Sequence, residues 1–289
     1  MSVLTKHLPL SSESDPLLSS VPDAVDDLQA QLSENAAERR REMAERLRVV
    51  RAHVTEATGR RREPLIEDED LREPELMAVS KFQPVSAMRT AYDLGIRSFG
   101  ENRPQEIRDK AADPTLTALP DWSMDCIGSV QRNKVKYLVG VCRCIQSIDR
   151  LDLAEAIHQR ASQMDLVQDV LLQVNYSGEI SKQGFAPQEL AACLPRLLTL
   201  RHIRIRGLMG MAVQGKTYGE LLDYFRSFAD FFRELRVRFS AQGGEASAFT
   251  QLSLGMSEDF EAAIEAGSTC VRVGRAIFGA RPLHGLHGA

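Results

Sequence analysis

The feature that most constrains this chain is an alternation repeated eight times between Leu76 and Gly279. A short apolar run is followed each time by a longer stretch with helical spacing. "LMAVS" precedes "PVSAMRTAYDLG", with Pro84 near the helix start and Gly95 at its stop. "RSFG" precedes "RPQEIRDKAA", and "DCIGSV" precedes "RNKVKYLV". "RCIQSI", "DVLLQVNY", "IRGLMGMAV" and "TQLSLGMS" lead into further helical segments, and "CVRVGRAIFG" closes the series. Strands that alternate with helices favour a parallel sheet, and eight units favour closure. The expected fold is α/β, a single TIM-type (β/α)8 barrel preceded by an N-terminal helix.

The rest of the chain is divided accordingly. Residues 1–22, rich in Ser, Pro and Asp without a helical period, are expected to be a disordered tail. Residues 23–58 form a charged helix expected to pack on the barrel. Leu28, Leu32, Ala36, Met43, Leu47 and Val50 recur on one side of it. Residues 59–75 read as a charged, proline-punctuated linker, and residues 76–282 as the barrel. Ten residues follow Gly279, so no second domain is expected there.

Composition excludes several function classes. A net charge of -4 and the acidic residues interleaved with "ERRRE" argue against nucleic acid as a partner. No apolar stretch approaches the roughly 20 residues that span a bilayer, so no membrane is expected. Five cysteines without a CxxC pair suit a reducing compartment. The first residues lack the features of a transit or secretion signal. A cytoplasmic location is expected. Cys142 and Cys144 are expected on one face of a strand, but no His or Cys nearby completes a metal site, and none is expected.

Lys81 is the residue that points toward chemistry. It ends an apolar strand, and a buried lysine is costly unless paired, neutralised or covalently engaged. The plain alternative is that it marks the strand's exit to solvent. In barrels of this type the chemistry sits at the C-terminal ends of the strands, often with a phosphate site after strands seven and eight. Those ends carry Lys81, Asn102, Gly128, Ser147 and Asn175, then Met209 and Met211, Ser253 and Ser257, and finally Arg272 and Gly274. Ser257 reads as the N-cap of the following helix, and Gly274, lacking a Cβ, lets an anion approach backbone N–H groups. A capped helix and a turn glycine would explain the same residues without a ligand. An imine-forming lysine together with a phosphate cradle points to pyridoxal phosphate.

"MAVSKFQPVSAMRTAYDLGIRSFGENRPQEI", "IGSVQRNKVKYLV", "IQSIDRLDLAEAI", "QVNYSGEISKQGF", "IRGLMGMA" and "LSLGMSEDFEAAIEAGSTCVRVGRAIFG" resemble, in order, the pyridoxal-phosphate homeostasis proteins. The resemblance covers about residues 76–280. It implies a single-domain barrel like the N-terminal domain of alanine racemase, with pyridoxal 5'-phosphate held by Lys81 at the Schiff-base position. Asn102 would lie beside the cofactor, Met256 and Ser257 in the GMS motif with Ser257 on the phosphate, and Arg272 at the pyridine nitrogen. The amides of Gly274 and Arg275 would complete the phosphate cradle. Four positions depart from the family pattern: Asp125 where a histidine is usual, Arg103 for tyrosine, Gly210 for Thr or Ser, and Arg275 for Thr.

The function implied is intracellular homeostasis of the cofactor, by binding, buffering or delivery, with no catalytic residue. Amino acids and cofactor-dependent client enzymes are the further partners considered, and a monomer is expected. The enzyme alternative is a weak amino-acid racemase or lyase, in which Tyr92, Cys126 or Asp125 would supply the acid/base group on the far face of the cofactor.

Overall fold

The computed structural model describes residues 21–66, 72–179 and 182–280, with side chains from residue 33 onward. The expected tail lies almost wholly outside the described residues, although Val21 and Pro22, assigned to it from sequence, are helical. The chain divides into two compact units, residues 1–42 and 43–289. Helix α1 (Val21–Arg60) begins in the first, where its side chains over 33–42 are exposed, Ala36 among them.

Eight strands follow: β1 (Glu75–Val79), β2 (Ser98–Glu101), β3 (Ser123–Cys126), β4 (Cys144–Ile148), β5 (Gln168–Gln173), β6 (Ile203–Met209), β7 (Gln251–Ser253) and β8 (Cys270–Val273). They pair in sequence order and all in parallel, and β8 pairs back onto β1 with Arg272 beside Met77. The helices between and after them are α2 (Val85–Asp93), α3 (Pro104–Ala111), α4 (Pro114–Thr117), α5 (Leu151–Gln163), α6 (Pro187–Leu197), α7 (Tyr218–Ala241), α8 (Phe260–Glu265) and α9 (Arg275–Phe278). The closed eight-stranded barrel is the one the alternation implies.

Two local expectations need correction. The segment after β3 is a 3₁₀ turn over Arg132–Tyr137 rather than an α-helix. Cys142 and Cys144 do not share a strand face: Cys142 precedes β4 and packs in the main core, while Cys144 joins a separate cluster with Leu171 and Met209. No group of His, Cys, Asp and Glu among the described residues is arranged for a metal ion.

Within the larger unit Met43, Leu47, Val50, Val54 and Ala57 of α1 are buried. Their spacing of three and four puts them on one helix face. Burying each of the larger ones is worth roughly 1.5–3 kcal/mol. Arg46 Nε donates to the Ile277 carbonyl at 2.9 Å and Arg51 to that of Leu94 at 2.9 Å, which ties this face across α9 and α2. The first part of the expected linker is packed. Leu65 is buried, and buried Arg61 donates to the carbonyls of Ile264 at 2.9 Å and Ser268 at 2.6 Å.

Candidate functional site

A cavity of about 830 Å³ opens at the C-terminal ends of the strands. That is the end where this architecture places its chemistry, and the volume is of the size that encloses a small ligand. Lys81, Asn102, Met256, Ser257, Arg272, Gly274 and Arg275 all line it. Met209 and Met211 line it as well. Gly128, Ser147, Asn175 and Ser253, collected with them from sequence, do not. Ser147 Oγ donates to the Gly128 carbonyl at 2.6 Å, and Asn175 braces its own loop through the carbonyls of Glu179 and Lys182.

Lys81 sits in a turn held on three sides. The Ser80 amide donates to the Gly100 carbonyl at 3.0 Å, and Ser80 Oγ to Glu101 Oε1 at 2.7 Å. The Phe82 amide donates to Glu106 Oε2 at 3.1 Å. Phe82 has φ 63°, an unfavourable value for a bulky side chain that persists where surrounding contacts over-determine it. Arg103, the departure after the GEN motif, lies over the Phe82 ring at 4.7 Å and helps hold that turn. Asn102 is held from below, since a Cβ on Gly128 would come within 2.3 Å of its carbonyl oxygen.

Arg272 forms the cavity floor and is only 4% exposed. Nη1 donates to the Ser253 carbonyl at 2.7 Å and to Ser253 Oγ at 2.6 Å, and Nη2 to the Gly210 carbonyl at 2.8 Å. Burial holds its pKa below the usual arginine value, but a guanidinium remains a cation in a protein. Gly210, another departure, has a steric reason: a Cβ there would meet the Phe228 ring at 2.4 Å.

Ser257 is not the N-cap expected from sequence. Its Oγ accepts the Gly274 amide at 3.2 Å and lies 3.5 Å from the Ala276 amide. Asp259 occupies the N-cap position of α8. The hydroxyl is drawn instead to the amides at the start of α9. Arg275 reaches the rim, where its exposed guanidinium pairs with Glu258.

The three acid/base candidates lie outside this cavity. The Tyr92 hydroxyl donates to the Pro120 carbonyl at 2.9 Å on the helical layer. Burial pushes the Cys126 thiol up to about 12. Asp125 is 1% exposed and held by Arg143 and Gln146. Sequence reasoning missed Lys216, Gln83, Asp259 and Ile127 in the lining. For Lys216 a signal existed, because Thr217 and Glu220 form a capping box that ends the loop just after it.

Residues 68–282 match the alanine racemase N-terminal domain family. The chain is 38% identical over 208 residues to the pyridoxal phosphate homeostasis protein of Aquifex aeolicus, covering 71% of this chain and 86% of that one. It is 38% identical over 214 residues to that of Escherichia coli K12, covering 73% and 88%. PipY of Synechococcus elongatus, 35% identical, superposes with a TM-score of 0.70 over 82% of this chain and 100% of that one. A second PipY structure, with PLP bound, gives 0.67 over the same shares. An alanine racemase of Clostridium difficile shares the fold alone, at 15% identity, a TM-score of 0.56, and coverage of 81% and 57%. At this identity and coverage the chain belongs to the pyridoxal phosphate homeostasis protein family.

Proposed function

We propose that this protein binds pyridoxal 5'-phosphate and serves its intracellular homeostasis, as a reservoir or donor of the cofactor rather than as an enzyme. The observation that carries the reading is that Lys81, Arg272, Ser257 and the Gly274 backbone line one cavity. The donor set fits the group. Ser257 and the backbone of Gly274 and Arg275 in the lining would offer hydrogen-bond partners to a phosphate, and Gly274 leaves open a space where a Cβ would sit 3.3 Å from Val79. The Lys81 amine would condense with the aldehyde, forming a C=N bond and releasing water. Arg272 would face the pyridine nitrogen as a hydrogen-bond donor, so that this nitrogen stays unprotonated.

When bound, the cofactor supplies an electron sink for carbanion chemistry. Racemisation needs in addition a poised acid/base group on its far face. The other titratable side chains of the lining are engaged. Lys216 pairs with Glu220 at 2.9 Å, Glu258 pairs with Arg275, and Asp259 Oδ1 accepts the Met256 amide at 2.5 Å. An unprotonated pyridine and the engagement of these side chains, among the described residues of the lining, both support a carrier. All the named groups come from one chain, so a monomer holds a complete site, and client enzymes that need the cofactor are the natural recipients. No helix of the described residues is long and apolar enough to cross a membrane.

The test is an absorbance spectrum of the protein with added pyridoxal phosphate, followed by borohydride reduction and peptide mass analysis. A visible band and an adduct on the Lys81 peptide are expected, and Lys81→Ala should lose the band while keeping its fold. An adduct confined to Lys134, Lys136 or Lys182 would overturn the reading.

A further inference from the structure

Strands β4 and β7 are not neighbours in the barrel, yet Gln146 of β4 and Ser253 of β7 touch. Only the barrel lumen can bring them together. That contact belongs to a line of hydrogen bonds that crosses the interior beneath the cavity floor. Arg272 Nη1 donates to Ser253 Oγ at 2.6 Å, Ser253 Oγ donates to Gln146 Oε1 at 2.7 Å, and Gln146 Nε2 donates to Asp125 Oδ2 at 2.7 Å. Arg143 closes the line, with Nε 2.9 Å from Asp125 Oδ1 and Nη2 2.8 Å from Oδ2. Arg143 also donates to Glu75 Oε2 at 3.0 Å, at the opposite end of the barrel.

We propose that Asp125 is a positioning residue for Arg272, acting through Gln146 and Ser253. This deepens the proposed function and rests on it for the role of Arg272. Arg272 is held directly by neutral acceptors alone, two carbonyls and a hydroxyl. A carboxylate accepts and does not donate, so Asp125 forces the amide nitrogen of Gln146 toward itself. The amide oxygen must then face Ser253, whose hydroxyl proton is used on it. The Ser253 lone pairs are thereby left for Arg272. Each link runs from donor to acceptor in one direction, and the carboxylate sets that direction. Without it the Gln146 amide is free to turn over, Ser253 Oγ would meet donors from both sides, and the guanidinium would lose its fixed orientation. Asp125, Gln146 and Ser253 are 1%, 2% and 0% exposed, so water cannot stand in for a lost partner.

The experiment compares wild type, Asp125→Asn, Gln146→Met and the double variant. Dissociation constants for pyridoxal phosphate and the position of the visible band are measured, with melting temperatures alongside. Loss of one link of about 1 kcal/mol predicts binding weaker by about fivefold in each single variant, together with a displaced band. Since both act through one line, the double variant should bind no more weakly than the weaker single. Unchanged affinity and band in both singles, or losses that multiply in the double, would overturn the proposal. Should Asp125→Asn fail to fold, Gln146→Met, which removes no charge, decides. Nitrogen-15 spectra of the arginine guanidinium groups before cofactor is added separate this inference from the reading it rests on. Slowly exchanging Arg272 Nη protons in wild type that become averaged in the variants support the positioning role even if Lys81 proves not to be the anchor. Identical Arg272 signals in all four proteins would refute it.

Discussion

Lys110 Nζ lies 2.5 Å from Glu101 Oε1 in a space that water barely reaches, with Glu101 0% and Lys110 8% exposed. The same ammonium donates to the Ser80 carbonyl at 2.8 Å, so the pair braces the residue just before Lys81. The other Glu101 oxygen, Oε2, has no hydrogen-bond partner. Burial outweighs the attraction of Lys110 and raises the Glu101 pKa above the usual carboxylate range. A raised carboxyl pKa means that the folded state holds its proton more tightly than the unfolded state. The stability contributed is therefore present below the unfolded pKa and declines as pH rises through the folded one. Lys110→Met removes the cation from a buried pair and should cost about 3–5 kcal/mol at pH 7, with part of the loss recovered at pH 5. Urea unfolding at the two pH values measures this, and adding Glu101→Gln should restore much of the stability. A loss independent of pH would contradict it.

Ser257→Ala should weaken pyridoxal phosphate binding by roughly 10- to 100-fold, as expected for one hydrogen bond to a charged group, about 1.5–3 kcal/mol. Its melting temperature should stay within a few degrees of wild type, because Ser257 is only half-buried. Titration of the visible band gives the affinity, and equal affinities would remove Ser257 from the phosphate site.

Gly128→Ala tests how the site is braced from beneath. Its Cβ would lie 2.3 Å from the Asn102 carbonyl oxygen and 2.6 Å from its Cα, both backbone atoms that cannot step aside. A destabilisation of about 1–3 kcal/mol is expected, with weakened cofactor binding in the fraction that folds. Calorimetry and cofactor titration check the two effects, and a variant like wild type in both would show that the β2 and β3 ends move apart freely.

A carrier should not exchange the α-proton of an amino acid. Alanine and serine incubated with the cofactor-loaded protein in D2O should lose their Cα proton no faster than with free pyridoxal phosphate, as read by proton NMR over hours. Exchange many-fold above that level and absent from Lys81→Ala would identify an enzyme, and would turn attention to Asp259, the half-buried carboxyl in the lining.

The strand-helix rhythm was legible because each period exceeds the length of any local ambiguity, and Lys81, Asn102, Ser257, Arg272 and Gly274 follow once strand ends are counted. Which end residues face the cavity was not. Ser253 and Ser147 stand at strand ends too, but Ser253 lies one layer deeper under Arg272, and Ser147 serves the Gly128 carbonyl. Neighbouring residues of a strand face opposite ways, so an error of one position exchanges lumen for helix layer. The Ser257 contact was hidden for a different reason, since its partners at Gly274 and Ala276 come from another loop. The Asp125 line joins four strands and leaves no periodic trace at all. Sequence showed only an acid where the family resemblance implies a histidine.

Strand β1 meets its last partner, β8, only when nearly all of the barrel exists. Lys81 follows the first strand, and the Gly274 and Ala276 amides follow the last. During synthesis the lysine is therefore exposed long before the residues proposed to complement it as a phosphate cradle. On the proposed site, a nascent chain would form only the weak adducts any lysine makes with an aldehyde, and firm capture would wait for β8 to seat. The cofactor then binds the closed barrel and not the open chain, so its free concentration adds to the stability of the closed form. On the proposed site, the seam between the first and last strands would link the supply of pyridoxal phosphate to the completion of folding.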